Sequence, residues 1–262
     1  MSRPKALILR TAGTNCDVES AYAAGLAGFD ADRVHVNRLA GGEVGLDDYS
    51  FLFIPGGFSY GDDIAAGKIM ALELNERLGD RLRTFEERGG LALGVCNGFQ
   101  VLIKTGLLPF HTNSPADMRA TLTINDSGRF EDRWVRLAAD PSSVCVFTRS
   151  MNPLIELPVA HGEGKFIVRD EAGLDELKSK GQVVLRYAAK NGGEPAYPED
   201  PNGSMDHIAG VCNERGTFLG LMPHPERFLH RTNHPRWTRE DRPEDGDGLA
   251  FFRNAFEYCR AL

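Results

Sequence analysis

The sequence has no excess of basic residues, because 30 Lys and Arg stand against 37 Asp and Glu and give a net charge of −7. A protein that binds nucleic acid needs a basic face, so this balance argues against a nucleic-acid partner. The sequence also lacks any apolar run that approaches the roughly 18 residues of a membrane span. Its first residues lead directly into a strand pattern instead of a signal peptide. We therefore expect no membrane association.

Cysteine is scarce and scattered. The five cysteines, none of them in a C-x-x-C pair, are Cys16, Cys96, Cys145, Cys212 and Cys259. Their odd number and wide spacing are typical neither of a disulfide framework nor of a zinc site. Adjacent carboxylates at Asp62 and Asp63 meet solvent more often than a metal. The sequence thus predicts reduced thiols, a cytoplasmic location and no metal.

A phosphate-binding loop is also lacking. The stretch from Gly61 to Lys68 resembles a Walker A loop, but its spacing is one residue too long and Ile69 stands where Ser or Thr would hold Mg²⁺. No G-x-G-x-x-G follows a strand either. We therefore expect that this chain binds no nucleotide cofactor.

The first half of the chain contains apolar strands that alternate with helices. The pattern predicts strands at 5–10, 33–36, 51–54 and 91–95, and helices at 18–26, 68–88 and 99–103. Continuous apolar strands joined by helices are typical of a parallel sheet that is covered on both faces. This pattern predicts an α/β fold with a flavodoxin-like, mostly parallel sheet flanked by helices. Ligands of such sheets bind at the carboxyl ends of the strands.

The second half has shorter strands, which we predict as antiparallel additions to the same sheet. They fall at 134–137, 144–147, 165–168 and 183–187, and a further buried strand is predicted at 218–222. The stretch 229–248 is charged and loop-like, with a solvated loop favoured over a docking segment, and a last helix follows at 249–260. No repeat or long linker divides the chain, so residues 1–262 are predicted to form one domain.

The apolar run 91–95 ends in Gly-Val-Cys-Asn-Gly at residues 94–98. A cysteine flanked by glycines between a strand and a helix is typical of a nucleophile elbow, with sulfur in place of the usual serine oxygen. The N–H groups of the following helix point at the thiol and favour its reactive thiolate. The alternative is that Cys96 is a buried cysteine that acts as a small hydrophobic residue.

A thiolate nucleophile needs a base and a group that orients the base. Two His-x-Glu sequences are available, at 161–163 and 224–226. Prolines at 223 and 225 favour extended backbone, in which His224 and Glu226 point the same way, so this pair is preferred. His161 is expected in a flexible, glycine-flanked loop. A surface His and Glu on either side of a proline is the alternative for the second pair.

Acyl chemistry also needs hydrogen-bond donors for a tetrahedral oxyanion. Gly56 and Gly57 follow the strand at 51–54 without a Cβ to obstruct the backbone. The N–H groups of Gly57 and of Asn97, directly after the nucleophile, are predicted to converge. An ordinary strand-to-helix turn with positive φ is the alternative explanation for these glycines.

The glycine turn at 55–57, the elbow at 94–98 and the late His-Pro-Glu at 224–226 together resemble the class I, or triad, glutamine amidotransferases. Further motifs resemble the glutaminase subunit of phosphoribosylformylglycinamidine synthase. They lie at 12–17, 56–62, 96–100, 127–131, 160–164, 202–204 and 222–227. The resemblance spans nearly the whole chain up to Arg227, and the combination of motifs is highly specific.

This resemblance implies that Cys96 attacks the side-chain amide of L-glutamine, with His224 as base and then acid and Glu226 orienting His224. It implies that Gly56, Gly57, Asn97 and Gln100 line the glutamine and oxyanion site. Three further residues are implied to border that site: Arg129, Phe130 and His161. Cys16 also resembles a family position, but we interpret it as a packed turn cysteine.

The resemblance also implies partners. The ammonia passes to a synthetase subunit that uses ATP and Mg to convert formylglycinamide ribonucleotide to formylglycinamidine ribonucleotide in purine synthesis, and a small third subunit bridges the two. No cofactor is implied on this chain. Two other hypotheses remain open: a catalytically silent glutamine-binding regulatory subunit, and a stand-alone cysteine amidohydrolase.

Overall fold

The computed structural model describes residues 3–112 and 114–262. The strands are β1 (Lys5–Arg10), β2 (Asp30–His35), β3 (Phe51–Ile54), β4 (Leu91–Val95), β5 (Ala120–Thr123), β6 (Glu131–Ala139), β7 (Leu154–His161), β8 (Lys165–Val168), β9 (Val183–Tyr187), β10 (Ile208–Cys212) and β11 (Phe218–Leu221). The helices are α1 (Asp17–Ala27), α2 (Val36–Ala40), α3 (Lys68–Glu87), α4 (Asn97–Lys104), α5 (Glu171–Ser179) and α6 (Leu249–Ala261). Among these helices, none is long and apolar enough to cross a membrane.

A nine-stranded sheet organises the fold, in the order β2-β1-β3-β4-β11-β10-β9-β6-β7. The first five strands in this order are parallel to their neighbours. The remaining strands pair antiparallel. The parallel part has the strand order of a flavodoxin-like sheet, with β11 as its fifth strand. The predicted α/β class, and the antiparallel extension from the second half of the chain, are both confirmed.

Burial explains why these segments form strands. Every residue of β3, β4 and β11 is buried, as expected for strands covered on both faces by helices. In β7, by contrast, buried residues alternate with partly exposed ones. Because β7 is the outermost strand on its side of the sheet, only one of its faces meets the core.

The register of the central strands places three turns at one edge of the sheet. Ile54 at the end of β3 lies opposite Gly94 in β4, and Leu221 at the end of β11 lies opposite Val95. Since these strands are parallel, their carboxyl ends share an edge. The glycine turn after Ile54, the Cys96 elbow and the segment that carries His224 therefore emerge side by side.

Two strand predictions in the second half need correction. The predicted strand at 144–147 is not formed, and Val146–Thr148 is a 3-10 helix instead. The N–H of Val144 donates to the Gly181 carbonyl and that of Val146 to the Gly216 carbonyl, so loop carbonyls replace a strand partner. The predicted strand at 165–168 exists as β8, but it pairs with β5 in a separate two-stranded sheet.

Several elements have no clear sequence signal. They are α2, α5, β5, β7 and β10. In β7 the reason is Pro158, which weakens a strand prediction because proline cannot donate to a central ladder. The edge position of β7 tolerates this proline. The Pro158 carbonyl accepts a hydrogen bond of 2.8 Å from the N–H of His224, and this bond joins β7 to the segment after β11.

The charged stretch 229–248 is loop-like, as predicted, and about half of its residues are exposed, while others pack on the sheet. His234 is buried, and its ring packs edge-on against Trp134 of β6. Glu156 of β7 forms an ion pair with Arg242 Nη2 at 2.5 Å, and His234 Nε2 lies 3.3 Å from the same carboxylate. Arg242 therefore faces a largely buried carboxylate of the sheet, whereas Glu244, with 87% of its side chain exposed, faces the solvent.

Candidate active site

Cys96 occupies the turn between β4 and α4 with φ 52° and ψ −106°. A residue with a side chain rarely adopts positive φ, and such a conformation costs on the order of 1–3 kcal/mol. Two glycines allow the turn: a Cβ on Gly98 would lie 1.9 Å from the Ile54 carbonyl oxygen, and one on Gly94 would lie 2.6 Å from that of Gly98. The geometry of a nucleophile elbow predicted at Cys96 is present.

The Cys96 thiol is nearly buried and points toward the end of β7. Its Sγ lies 3.4 Å from the carbonyl oxygen of Ala160, to which the thiol donates. The Cys96 carbonyl accepts the N–H groups of Phe99 and Gln100 at 3.0 and 3.1 Å, which starts α4. The first N–H groups of α4 have no acceptor within the helix, and they are therefore available to negative charge at the elbow.

His224 and Glu226, the predicted base and its orienting carboxylate, form a buried pair. His224 Nδ1 lies 2.6 Å from Glu226 Oε1, and both side chains are buried. The predicted pair is present, but the extended backbone that was predicted for both residues is found only at His224. His224 is extended, with φ −104° and ψ 91°, whereas Pro225–Arg227 is a 3-10 helix. The turn, and not an extended i to i+2 alternation, brings the carboxylate back to the ring.

The charge state of His224 follows from these contacts. Burial lowers the pKa of His224, but the negative charge of Glu226 and contacts with the thiols of Cys16 and Cys96 act against burial. Together they raise the pKa of His224 well above its ordinary value. The ring is therefore set to hold a proton beside Cys96, as a base does after it has taken the proton of a thiol.

Gly56 brings the base and the nucleophile together through its lack of a side chain. A Cβ at Gly56 would lie 2.8 Å from His224 Cε1 and 3.5 Å from Cys96 Cβ. The first of these distances is too short for real atoms. Glycine is thus needed at position 56 because the backbone there packs against the imidazole ring. A turn with positive φ does not explain this glycine.

Gly57 does have the backbone conformation of a glycine, with φ 146°. It forms an isolated bridge with Thr14, in which the neighbouring Phe58 N–H donates to the Gly13 carbonyl at 2.9 Å. The N–H of Gly57 takes no part in that bond. It stays a predicted oxyanion donor together with the N–H of Asn97.

The side chains of Asn97 and Gln100 belong to a buried network. Asn97 Oδ1 accepts the N–H of Ser59 at 3.1 Å, and its Nδ2 donates to Gln100 Oε1 at 3.0 Å. Gln100 Nε2 in turn donates to the Glu163 carbonyl at 2.6 Å. The hydrogen bonds of these two side-chain amides therefore link the segment 55–61, which we call the glycine loop, to α4 and to the turn after β7. A direct contact of Gln100 with glutamine remains a prediction.

His161 is not in a flexible loop, so that expectation is wrong. It is the last residue of β7 and is buried. Asn125 Nδ2 donates to the carbonyls of Arg129 and His161, which makes its Oδ1 an acceptor, and this oxygen lies 3.1 Å from His161 Nδ1. Burial, aided by the charge of His224, lowers the pKa of His161 to about 3. His161 is thus a neutral ring beside the base, with its proton on Nδ1.

Arg129 and Phe130 are both exposed. The Phe130 ring lies 6.3 Å from that of Phe58, the residue after Gly57, so it stands near the glycine loop. Arg129 lines a cavity of about 590 Å³, together with Asp126 and Tyr197. The structure therefore places Phe130 beside Phe58 of the glycine loop and Arg129 in the wall of this cavity.

Cys16 is the residue of this site whose place the sequence did not reveal. It is a buried turn cysteine as predicted, but it packs against the triad. Its Sγ, a ring nitrogen of His224 and a carboxylate oxygen of Glu226 lie within 4.8 Å of one another. Such a trio has the composition of a metal site, yet Nδ1 already faces Glu226 and Arg227 Nη2 donates to the sulfur at 3.0 Å. The signal in the sequence was only that Cys16 stands in the stretch 12–17, one of the motifs that resemble the family.

Comparison with known proteins places the chain in a family. Residues 3–259 match the CobB/CobQ-like glutamine amidotransferase domain. Phosphoribosylformylglycinamidine synthase subunit PurQ of Dehalococcoides mccartyi is 47% identical over 263 residues, with 100% of both chains covered. The PurQ subunit of Treponema denticola is 43% identical over 238 residues, which cover 86% of this chain and 88% of that protein.

A solved structure agrees with these relatives. A chain of PurLQS from Thermotoga maritima matches with a TM-score of 0.75 and 32% identity, over 98% of this chain and 99% of that chain. The identity and coverage exceed what a shared fold alone would give. The chain therefore belongs to the PurQ family of phosphoribosylformylglycinamidine synthase subunits, within the glutamine amidotransferases.

Proposed function

We propose that this chain hydrolyses L-glutamine to glutamate and ammonia, and that it delivers the ammonia to a synthetase that makes formylglycinamidine ribonucleotide in purine synthesis. One observation carries the proposal: a buried His224–Glu226 pair, joined at 2.6 Å, packs beside a cysteine held in a nucleophile elbow. The family to which the chain belongs supports the choice of glutamine as the substrate.

The reaction begins with proton transfer from the Cys96 thiol to His224. The thiolate sulfur attacks the side-chain carbonyl carbon of glutamine, and a C–S bond forms while the carbonyl π electrons move to oxygen. The N–H groups of Gly57 and Asn97 stabilise this oxyanion, and one such donor typically contributes about 3–4 kcal/mol to lowering the barrier. The N-terminus of α4 adds a favourable dipole at the same place.

The imidazolium of His224 then donates its proton to the amide nitrogen. The C–N bond breaks, ammonia leaves and a γ-glutamyl thioester remains on Cys96. His224 next takes a proton from water, the hydroxyl attacks the thioester, and the C–S bond breaks to release glutamate. Glu226 keeps the ring in the tautomer that presents Nε2 to these groups. Neutral His161 beside the base adds no second positive charge that would oppose the imidazolium.

Ammonia is useful only where a partner receives it, since in neutral water it is protonated and no longer nucleophilic. We therefore propose a synthetase subunit, which uses ATP and Mg, and a small bridging subunit as partners. The likeness to a chain of PurLQS supports this assignment. All five cysteines are free thiols, which supports a reducing, cytoplasmic location.

The test is glutamate release from glutamine by this chain, alone and with the purified synthetase and bridging subunits, ATP and formylglycinamide ribonucleotide. We expect strong stimulation by the partners and loss of release in Cys96→Ala. Release that ignores the partners would identify a stand-alone amidohydrolase instead. No release under either condition from folded proteins would identify a silent glutamine-binding subunit.

A further inference from the structure

Cys16 is fixed at the start of α1 by its own backbone. Its N–H donates to the Gly56 carbonyl at 3.3 Å, and its carbonyl accepts the N–H of Ser20 at 3.0 Å and the Ser20 hydroxyl at 2.6 Å. One residue therefore links the first turn of α1 to the glycine loop. Any shift of α1 or of this loop must move the Cys16 sulfur.

The sulfur itself packs on the base. A Cβ at Gly56 would lie 3.2 Å from Cys16 Sγ and 2.8 Å from His224 Cε1, so the Gly56 backbone, the ring and the sulfur crowd around one point. Cys16 has no exposed surface. It therefore cannot contact glutamine, and any effect on the reaction has to pass through His224 or Glu226.

Arg227 holds the sulfur from the other side. Its Nη2 donates to Cys16 Sγ at 3.0 Å, and its Nε lies 3.4 Å from Glu19 Oε1 of α1. Burial raises the pKa of the Cys16 thiol, although contact with His224 acts in the opposite direction. A neutral thiol gives the ring a close neighbour without offering a second anion, so the proton of the imidazolium stays directed to Cys96.

We propose that Cys16, held by Arg227, is a positioning residue that fixes the plane of the His224 ring so that Nε2 faces Cys96. This inference rests on the proposed glutaminase function. The titratable or charged groups around the ring come from several elements: Cys16 at the start of α1, Cys96 before α4, His161 at the end of β7, and Glu226 and Arg227 of the 3-10 turn Pro225–Arg227.

The decisive variant is Cys16→Ala, assayed in the complex with its partner subunits. Loss of the sulfur leaves space beside the ring, and misplacement of a catalytic group by about 1 Å can cost about 10²-fold in rate. We expect kcat for glutamate release to fall about 10- to 100-fold while KM changes less than about twofold. Cys16→Ser keeps an acceptor for Arg227 and is expected to recover most of the lost rate.

A second measurement separates positioning from simple support of the fold. The rate at which chloroacetamide alkylates Cys96, followed by intact mass from pH 5 to 10, reports the Cys96–His224 ion pair and needs neither glutamine nor a partner. In Cys16→Ala the pH of half-maximal rate should rise by about one unit, because a loosened ring stabilises the thiolate less. Cys259→Ala, which removes a buried thiol of α6, is the matched control and should leave the profile unchanged.

The outcomes are distinct. A folded Cys16→Ala protein with wild-type kcat and an unchanged alkylation profile would overturn the positioning role. A wild-type complex that releases no glutamate would overturn the proposed function, whatever the alkylation shows. If Cys16→Ala fails to fold, Arg227→Met takes its place: it is expected to shift the alkylation profile in the same direction, and an unchanged profile in that variant would likewise overturn the role.

Discussion

Glu226 Oε1 lies 2.6 Å from Nδ1 of His224, across a single proline that starts a 3-10 turn. The carboxylate fixes a proton on Nδ1, and it leaves Nε2 as the nitrogen that exchanges a proton with Cys96. Nε2 has no hydrogen-bond partner, and the Cys96 thiol donates to the Ala160 carbonyl instead. In this state the thiol has to swing from that carbonyl to the ring before it can lose its proton.

Glu226→Gln is expected to lower kcat for glutamate release by about 10³- to 10⁴-fold with little change in KM, because the amide orients the ring less well and does not stabilise the imidazolium. Glu226 raises the pKa of His224, so the imidazolium persists to higher pH in the wild type and is lost as the pH rises through that pKa. The alkaline limb of kcat/KM for glutamate release, which needs the imidazolium as the acid, should thus move to lower pH in the variant. An unmoved limb would show that Glu226 does not govern the charge of His224.

Cys96→Ala is expected to lower glutamine-dependent synthesis by about 10⁴-fold or more, as loss of a nucleophile does in other triads. Synthesis from added ammonium salts should remain, because the synthetase chemistry lies on the partner. The measurement is product formation by the complex with each nitrogen source. Loss of both activities in a folded, assembled complex would contradict this division of labour.

The strain at Cys96 gives a stability prediction. Neither Cys96→Ala nor Cys96→Gly has a thiol, but only glycine tolerates φ 52° without cost. We expect Cys96→Gly to exceed Cys96→Ala by about 1 kcal/mol in the free energy of unfolding, measured with urea. Equal stability would mean that the elbow is not strained.

Gly56→Ala is expected to lower kcat about 10²-fold, because the new methyl group would meet His224 Cε1 at 2.8 Å and must displace the ring. Gly25→Ala in α1 is the matched control, since a Cβ there meets nothing within 4 Å. That control should keep full activity and gain about 0.5–1 kcal/mol of stability, as alanine favours a helix. Full activity in Gly56→Ala would mean that the ring does not depend on this contact.

The lowered pKa of His161 leads us to expect that the protein loses stability in acid. Its pKa is lowered to about 3 in the fold, so below its unfolded value of about 6.5 the unfolded chain binds a proton that the folded chain does not. From pH 7.5 to pH 5 this difference should remove about 2 kcal/mol from the free energy of unfolding. His161→Gln cannot titrate and should lose about 2 kcal/mol less than the wild type over that range. The same fall in both proteins would contradict a neutral His161.

Glu156 tests whether the stretch 229–248 is packed on the sheet. Glu156→Gln leaves the neighbouring guanidinium groups, among them that of Arg242, without their carboxylate, and we expect a loss of about 2 kcal/mol in unfolding free energy. Arg38→Gln breaks an exposed ion pair with Glu43 and should cost less than about 0.5 kcal/mol. Similar small losses in both would indicate a solvated loop.

The sequence was most informative where local rules decide the structure. Apolar strands followed by glycine turns predicted the parallel half, and the elbow and the His-Pro-Glu motif predicted residues that do meet. Parallel strands bring their carboxyl ends to one edge, so this step needed no knowledge of distant contacts.

What the sequence did not reveal depends on tertiary contacts. Pro158 is tolerated in β7 because β7 is an edge strand. His161 is buried because it is the last residue of this strand and not part of a loop. Cys16 lies far from the triad along the chain and reaches it only because α1 starts under the glycine loop. Within the stretch 229–248, Arg242 is held on the sheet by Glu156 of β7, and no local pattern in the sequence indicates that ion pair.

The position of β11 has a consequence for how the protein is made. This strand comes late in the chain, yet it is inserted between β4 and β10. While the ribosome is still synthesising the first two hundred residues, one side of the β4 strand, directly before Cys96, has no partner. The base also arrives only with the segment after β11. A nascent or truncated chain that lacks this segment thus has Cys96 without the predicted base, and we expect no hydrolysis of glutamine until the segment with His224 and Glu226 has been synthesised.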